Sequence, residues 1–398
     1  MTSPRDASPI ATNSLPSAQL GSKPRVLVIF GTRPEAIKLC PLIQALKRES
    51  SIETLVCVTA QHRQMLDQVL AVFDVKPDLD LDLMQPGQTL AALSARVIAG
   101  LEKVFSEVRP SLAIVQGDTT TTLCGALCAF YAQVPLGHVE AGLRTFDIAA
   151  PFPEEMNRVV TGRLATLHFA ATDWAARNLQ REGVTQNVFV TGNTGIDAVL
   201  SMRDALEDGR LSGIKIQLPP DRKLIVVTAH RRENFGPGFV NICQAMAELA
   251  RRDDVEIVWP VHPNPNVKQA VDQILRGQPN VQLIAPLDYV PFVDLMRQAH
   301  LLITDSGGVQ EEGPSLGKPI LVLRDKTERP EAVEAGTVKL VGTEQPAIVR
   351  EAARLLDDPI EYERMARLHN PYGDGQASAR ITGHILNYFE QNAARPLT

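Results

Sequence analysis

No apolar run in the sequence approaches the roughly 18 to 20 residues that span a bilayer, so a transmembrane helix is excluded. Cysteine is scarce. Cys40, Cys57, Cys124, Cys128 and Cys243 sit mostly in apolar stretches, make an odd total and contain no C-x-x-C pair, which points to a reduced, cytoplasmic compartment. Neither sign of charge dominates: 40 Lys plus Arg against 46 Asp plus Glu leave a net charge of -6, so no general attraction to nucleic acid or an anionic membrane exists. Any phosphate must therefore be held by a local site. A metal pattern such as H-E-x-x-H is missing, and so is any short-period repeat. Residues 1–24 are rich in Ser, Ala and Pro without the apolar segment of a secretory signal, and are expected to form a disordered tail.

What is present is the composition of a soluble globular chain, 44% hydrophobic and 22% charged, and 398 residues suit two domains better than one. Short runs rich in Val, Ile and Leu alternate with helix-length amphipathic segments, the signature of βα units around parallel sheets. The fold class is α/β, with two doubly wound sheets. One set of strands is expected at 25–31, 54–60, 112–118, 135–141, 167–172 and 187–193, and a second at 224–230, 255–262, 281–286, 301–306, 319–324 and 339–342. The polar stretch 208–223, with its Gly and paired Pro, is the clearest break between them. The expected domains are 25–192, joined by a returning C-terminal helix at 377–398, and 193–376. Two such sheets facing each other would form a cleft lined by the residues that follow each strand.

Those strand-end residues carry the chemistry. GTRPEAIK, Gly31 to Lys38, presents Arg33, Glu35 and Lys38 at a helix start suited to anions, and its lack of G-x-G-x-x-G argues against a nicotinamide cofactor. VQGDTTT exposes Asp118, for which an N-cap is the plainer alternative. HVEAGLRT brings His138, Glu140 and Arg144, and PFPEEMNR brings Glu154 and Glu155, one of which could simply pair with Arg158 on a helix face. In the second half, VTAHRREN supplies His230 and Arg231, and VHPNPN supplies His262. TDSGGVQEE opens a helix with Ser306, Gly307 and Gly308, a cradle for a diphosphate, with Glu311 or Glu312 one turn on to accept ribose hydroxyls; Arg329 adds a further phosphate contact.

Taken together and in this order, these motifs with TAQHRQML, TDSGGVQEEGPSLGKP and RDKTERPEAVEAGT resemble the non-hydrolysing UDP-N-acetylglucosamine 2-epimerases over about residues 25–390. The resemblance implies a GT-B-like pair of Rossmann-like domains facing across a cleft that holds UDP, the second domain being the UDP-binding one. It also implies a homodimer and no dissociable cofactor. It assigns Asp118, Glu140 and Glu154 as acid/base candidates, with His230 in the catalytic set on the departing diphosphate. Arg33, Lys38, Ser306, Gly307, Gly308 and Arg329 would bind the diphosphate, Glu312 the ribose, and Phe292 would lie near uracil. A second UDP-N-acetylglucosamine would act as activator at Gln61, Gln64, Gln88, Glu155, Arg231 and His262. Two positions depart from the pattern: Gly87 stands where an Arg commonly precedes the Gln, and Phe146 where a Gly follows GLRT. An epimerase for a related UDP-2,3-diacetamido sugar, or a GT-B glycosyltransferase, is the competing reading.

Overall fold

The computed structural model describes residues 23–59, 63–85 and 87–393, without the side chains of Arg63 and Gln64. The tail expected at 1–24 lies outside them, but for its last two residues. The chain forms two compact units: residues up to Asp197 together with those from Gly375 onward, and Ala198–Asp374. The division falls inside the helix Thr194–Glu207.

The first unit is built on a parallel sheet of β1 (Arg25–Phe30), β2 (Glu53–Val58), β3 (Leu79–Asp80), β4 (Leu112–Gln116), β5 (Leu136–Val139), β6 (Leu167–Ala170) and β7 (Val188–Val190). Its strand order is β3-β2-β1-β4-β5-β6-β7. Helices cover both faces, so β1 needs no polar alternation: Val26 to Phe30 are wholly buried. β3 was not foreseen from sequence, because two residues are too few to show a period of two. The second unit repeats the plan with β8 (Lys223–Thr228), β9 (Val255–Pro260), β10 (Val281–Ile284), β11 (Leu301–Thr304), β12 (Ile320–Val322) and β13 (Val338–Leu340), in the order β10-β9-β8-β11-β12-β13. Its core gathers Trp259 and Phe239 with the strand residues Ile225, Val227 and Ile303. Both units are thus Rossmann-like.

In each sheet the order reverses beside the first strand, between β1 and β4 and between β8 and β11. Chains leaving those neighbours turn to opposite faces of the sheet, which opens a crevice at their carboxyl ends. The helix Ala377–Ala393 belongs to the first unit: Asp197 accepts from the N–H groups of Ala377 (3.2 Å) and Ser378 (2.7 Å), and His384 stacks on Phe189 with centroids 4.0 Å apart. No helix among the described residues is long and apolar enough to cross a membrane.

Candidate functional site

At the β1/β4 crevice the chain turns so sharply that a Cβ on Gly31 would lie 2.2 Å from Thr59 Oγ1. Pro34 starts the helix Arg33–Arg48, and Glu35 folds back to accept from the N–H groups of Gly31 (3.1 Å) and Thr32 (2.7 Å). Its other oxygen accepts from Thr119 Oγ1 at 2.8 Å, so this buried carboxyl ties the turn after β1 to the turn after β4. Burial raises its pKa. Glu35 is thereby a structural clamp, a role the T-x-x-E spacing could have disclosed. Arg33 stands half-buried beside it, without an ion-pair partner among the described residues.

Asp118 follows Gly117, which adopts φ 72. The N-cap alternative fails: Thr119 caps the helix Thr120–Tyr131 by accepting from Thr122 N, leaving the Asp118 carboxylate for another purpose. Asn157 Nδ2 donates to the Asp118 carbonyl at 2.8 Å, and Arg158 Nη1 lies 3.1 Å from Oδ2. Burial pushes the Asp118 carboxyl up to about 6; Arg158 and Lys38 oppose this, while Glu140 and Glu154 add to it. Two further expected carboxylates, Glu140 and Glu154, thus lie close enough to act on Asp118. Glu140, at φ 63 after β5, accepts from Lys38 Nζ at 2.6 Å and from Gln116 Nε2. Glu154 begins the helix Glu154–Leu164 and is half-buried.

The neighbouring Glu155 is buried and internally engaged. It accepts from the backbone N–H groups of Thr145 (3.0 Å) and Phe146 (2.9 Å) and pairs with Arg158. Phe146 itself sits at φ 63, the left-handed region that explains a Gly preference there. His138 is fully buried on β5, with Nε2 2.8 Å from the Gly117 carbonyl.

The β8/β11 crevice is organised by Asp305. This wholly buried carboxylate accepts from the N–H groups of His230 (2.9 Å) and Arg231 (2.8 Å) and from Asn234 Nδ2 (3.1 Å). His230 Nδ1 lies 3.4 Å from Asp305 Oδ1, and its ring stacks on His262 with centroids 5.4 Å apart. Burial lowers the His230 pKa; Asp305 opposes this, and His262 and Arg231 add to it. In the sequence Asp305 is one residue of TDSGGVQEE, and no local pattern marks it for this role.

Ser306 precedes the short helix Gly307–Glu312. A Cβ on Gly307 would lie 2.6 Å from the Arg329 guanidinium, whereas Gly308 would meet only Glu312 Oε1, at 4.0 Å. Arg329 is held by Glu311 (2.6 Å) and Glu328 (3.3 Å), so it packs beneath the cradle it was expected to help fill. Glu311 is thereby engaged, and Glu312 is the half-buried acid one turn beyond Gly308. Phe292 is half-buried in the first turn of the helix Tyr289–Gln298.

Of the expected activator residues, Gln61 and the side chain of Gln64 lie outside the described residues. Gln88 accepts from Arg96 and from the Gln85 N–H, and His262 is exposed at the start of the loop after β9.

The family model for UDP-N-acetylglucosamine 2-epimerase matches residues 44–386. The chain is 55% identical over 370 residues to the UDP-N-acetylglucosamine 2-epimerase of Escherichia coli K12, covering 91% of this chain and 98% of the relative. Among solved structures, it resembles the Neisseria meningitidis UDP-GlcNAc 2-epimerase bound to UDP-GlcNAc, with TM-score 0.85 and 47% identity over 91% of this chain and 100% of that one. The Methanocaldococcus jannaschii UDP-GlcNAc 2-epimerase in complex with UDP-GlcNAc and UDP is also similar, with TM-score 0.74 and 33% identity over 92% and 99% of the two chains.

Proposed function

The chain belongs to the UDP-N-acetylglucosamine 2-epimerase family and is an enzyme that epimerises this nucleotide sugar at C2; we propose that it does so by elimination and re-addition of UDP. C2 has no carbonyl beside it, so direct loss of its proton would leave an unstabilised carbanion. Cleavage of the C1–O bond gives oxocarbenium character at C1 and makes the neighbouring C2–H acidic. Loss of that proton yields 2-acetamidoglucal and UDP. UDP then returns to C1 as a proton is delivered to the opposite face of C2, giving UDP-N-acetylmannosamine. Oxidation state is unchanged overall.

Two kinds of group are needed, and each unit supplies one. In the second unit, Ser306, the helix-start N–H of Gly308 and His230, whose pKa burial lowers, suit a departing diphosphate, Glu312 the ribose and Phe292 the uracil. In the first, Asp118, Glu140 and Glu154 serve proton transfer on the two faces of C2, with Arg33 and Lys38 offsetting phosphate charge. The observation that carries this reading is the Asp118 cluster: a carboxyl raised to about 6 beside two further carboxylates is poised both to accept and to return a proton near neutral pH. Arg329 supports the cradle from beneath.

The reading extends to a cytoplasmic homodimer of chains with domains 25–192 plus 377–398, and 193–376. Five buried, unpaired cysteines support the compartment, and exposed Phe130 and Tyr131 support an association surface. A second UDP-N-acetylglucosamine would act as activator at Gln61, Gln64, Gln88, Glu155, Arg231 and His262.

The test is incubation with UDP-N-acetylglucosamine in heavy water, followed by proton NMR. Expected is the manno sugar nucleotide with solvent deuterium at C2. Retention of the original hydrogen would sink elimination and point to transient oxidation elsewhere on the ring.

A further inference from the structure

Asp118 enters the site through a glycine. Gly117 adopts φ 72 and has nothing among the described residues within 4 Å of where a Cβ would be, so little but hydrogen bonding restrains the peptide that joins it to Asp118. One end of Gly117 is held by the sheet, its N–H donating to the Val139 carbonyl at 3.0 Å. Beyond that peptide, Asn157 holds the Asp118 carbonyl and Arg158 the carboxylate. The carbonyl of the joining peptide itself is held by His138, from the middle of β5.

A carbonyl can only accept, so His138 Nε2 carries the proton and Nδ1 is left as a bare lone pair, buried without a partner among the described residues. Burial keeps the pKa of this ring down at about 3, with His168 and Arg144 contributing, so it remains a neutral donor throughout the working range. An imidazole with one unsatisfied nitrogen is a costly choice for the core of a strand otherwise made of Leu136, Gly137 and Val139. Its donor has a single acceptor, and that acceptor aims Asp118.

We propose that His138 is a positioning residue for Asp118, its Nε2–H clamping the Gly117–Asp118 peptide so that the carboxylate keeps the direction proton transfer at C2 requires. The proposal rests on the reading of Asp118 as a proton-transfer group. His138 touches no reacting atom, and its effect on rate passes through Asp118, whose charged neighbours are Lys38, Glu140, Glu154 and Arg158.

The experiment compares full-length His138→Leu, which removes the donor, with His138→Gln, which keeps a donor at the place of Nε2, each alone and combined with Asp118→Asn. A misaimed catalytic group costs up to about 100-fold, so His138→Leu is expected to lose roughly 10- to 100-fold in kcat. KM and calorimetric UDP affinity should stay near wild type, and the inflection near pH 6 should move. His138→Gln should recover kcat to within about fivefold and restore the pH profile. Adding His138→Leu to Asp118→Asn should change kcat no further. The proposal is overturned by a folded His138→Leu with normal kcat and pH profile, by His138→Gln no better than His138→Leu, or by an undiminished further loss in the Asp118→Asn background. If His138→Leu does not fold, His138→Gln decides: kcat within about fivefold supports the clamp, and a folded protein with a larger loss refutes it. Wild-type turnover in Asp118→Asn alone identifies failure of the underlying reading.

Discussion

The guanidinium of Arg158 bridges two acids, with Nη1 3.1 Å from Asp118 Oδ2 and Nε 2.6 Å from Glu155 Oε2. One buried cation therefore shares its charge between a candidate catalytic carboxylate and the carboxylate that holds the Thr145–Phe146 turn. Shared in this way, it does not offset the burial of Asp118, whose carboxyl stays raised at about 6.

That shift has a sign for stability. The folded protein keeps Asp118 protonated in a range where the unfolded chain, with an ordinary carboxyl, has released the proton, so this contribution to stability is present in acid and is lost as pH rises through about 6. Asp118→Asn should thus melt higher than wild type at pH 8, and the difference should shrink toward pH 5. A difference in Tm that is flat with pH would contradict the shift.

For turnover, Asp118→Asn, Glu140→Gln and Glu154→Gln should each lose roughly 100-fold or more in kcat, the span of a proton-transfer group, with UDP affinity retained by calorimetry. That is about 3 kcal/mol of barrier. Near-normal turnover in any one would return its carboxylate to a structural role. The kcat/KM profile of the wild type should bend near pH 6, and the bend should vanish in Asp118→Asn.

Glu312→Ala should behave differently, weakening UDP by roughly tenfold, the worth of about 1.4 kcal/mol for a lost charge-assisted pair of hydrogen bonds. Exchange of the C2 hydrogen at saturating substrate should stay within a few-fold of wild type. A variant that binds UDP normally but cannot exchange would place Glu312 among the proton-handling groups instead.

Gly87 separates space from backbone. Among the described residues nothing lies within 4 Å of a Cβ there, but φ is 68, so Gly87→Arg strains the chain by about 1 to 2 kcal/mol. The expected outcome is a slightly lower Tm together with activation at roughly tenfold lower UDP-N-acetylglucosamine, since a guanidinium–diphosphate contact is worth about 1.5 to 3 kcal/mol. The readout is the lag when the reaction starts from UDP-N-acetylmannosamine. Hyperbolic progress with no lag in either protein would show that no activator acts.

Phe146 makes a converse case. At φ 63 and 58% exposed, it strains its turn for little burial, so Phe146→Gly should raise Tm by a degree or two without changing kcat. A fall in Tm would mean that the ring packs to an advantage greater than the strain.

Most strands and the residues at their carboxyl ends were legible from the chain alone, because a buried parallel strand is a local apolar run and the chemistry follows it within a few positions; the two-residue β3 was not. Asp118, Glu140, His230 and the Ser306–Gly308 turn all stand where that reading put them along the chain. What each acid is bonded to was not legible. Glu155 and Arg329 carry charge suited to a ligand, yet the fold turns one onto the Thr145 and Phe146 N–H groups and the other onto Glu311. Conversely, Glu35 and Asp305 look like ordinary turn acids and prove to be the clamps of the two crevices. The reason is range. Strand and helix patterns are fixed by neighbours a few residues apart, but the partner of a buried charge, as with Lys38 and Glu140, 102 positions apart, exists only once the sheet has set its strand order. Sequence determined which groups arrive at the carboxyl ends of the strands; tertiary structure decided which partners each of them meets there.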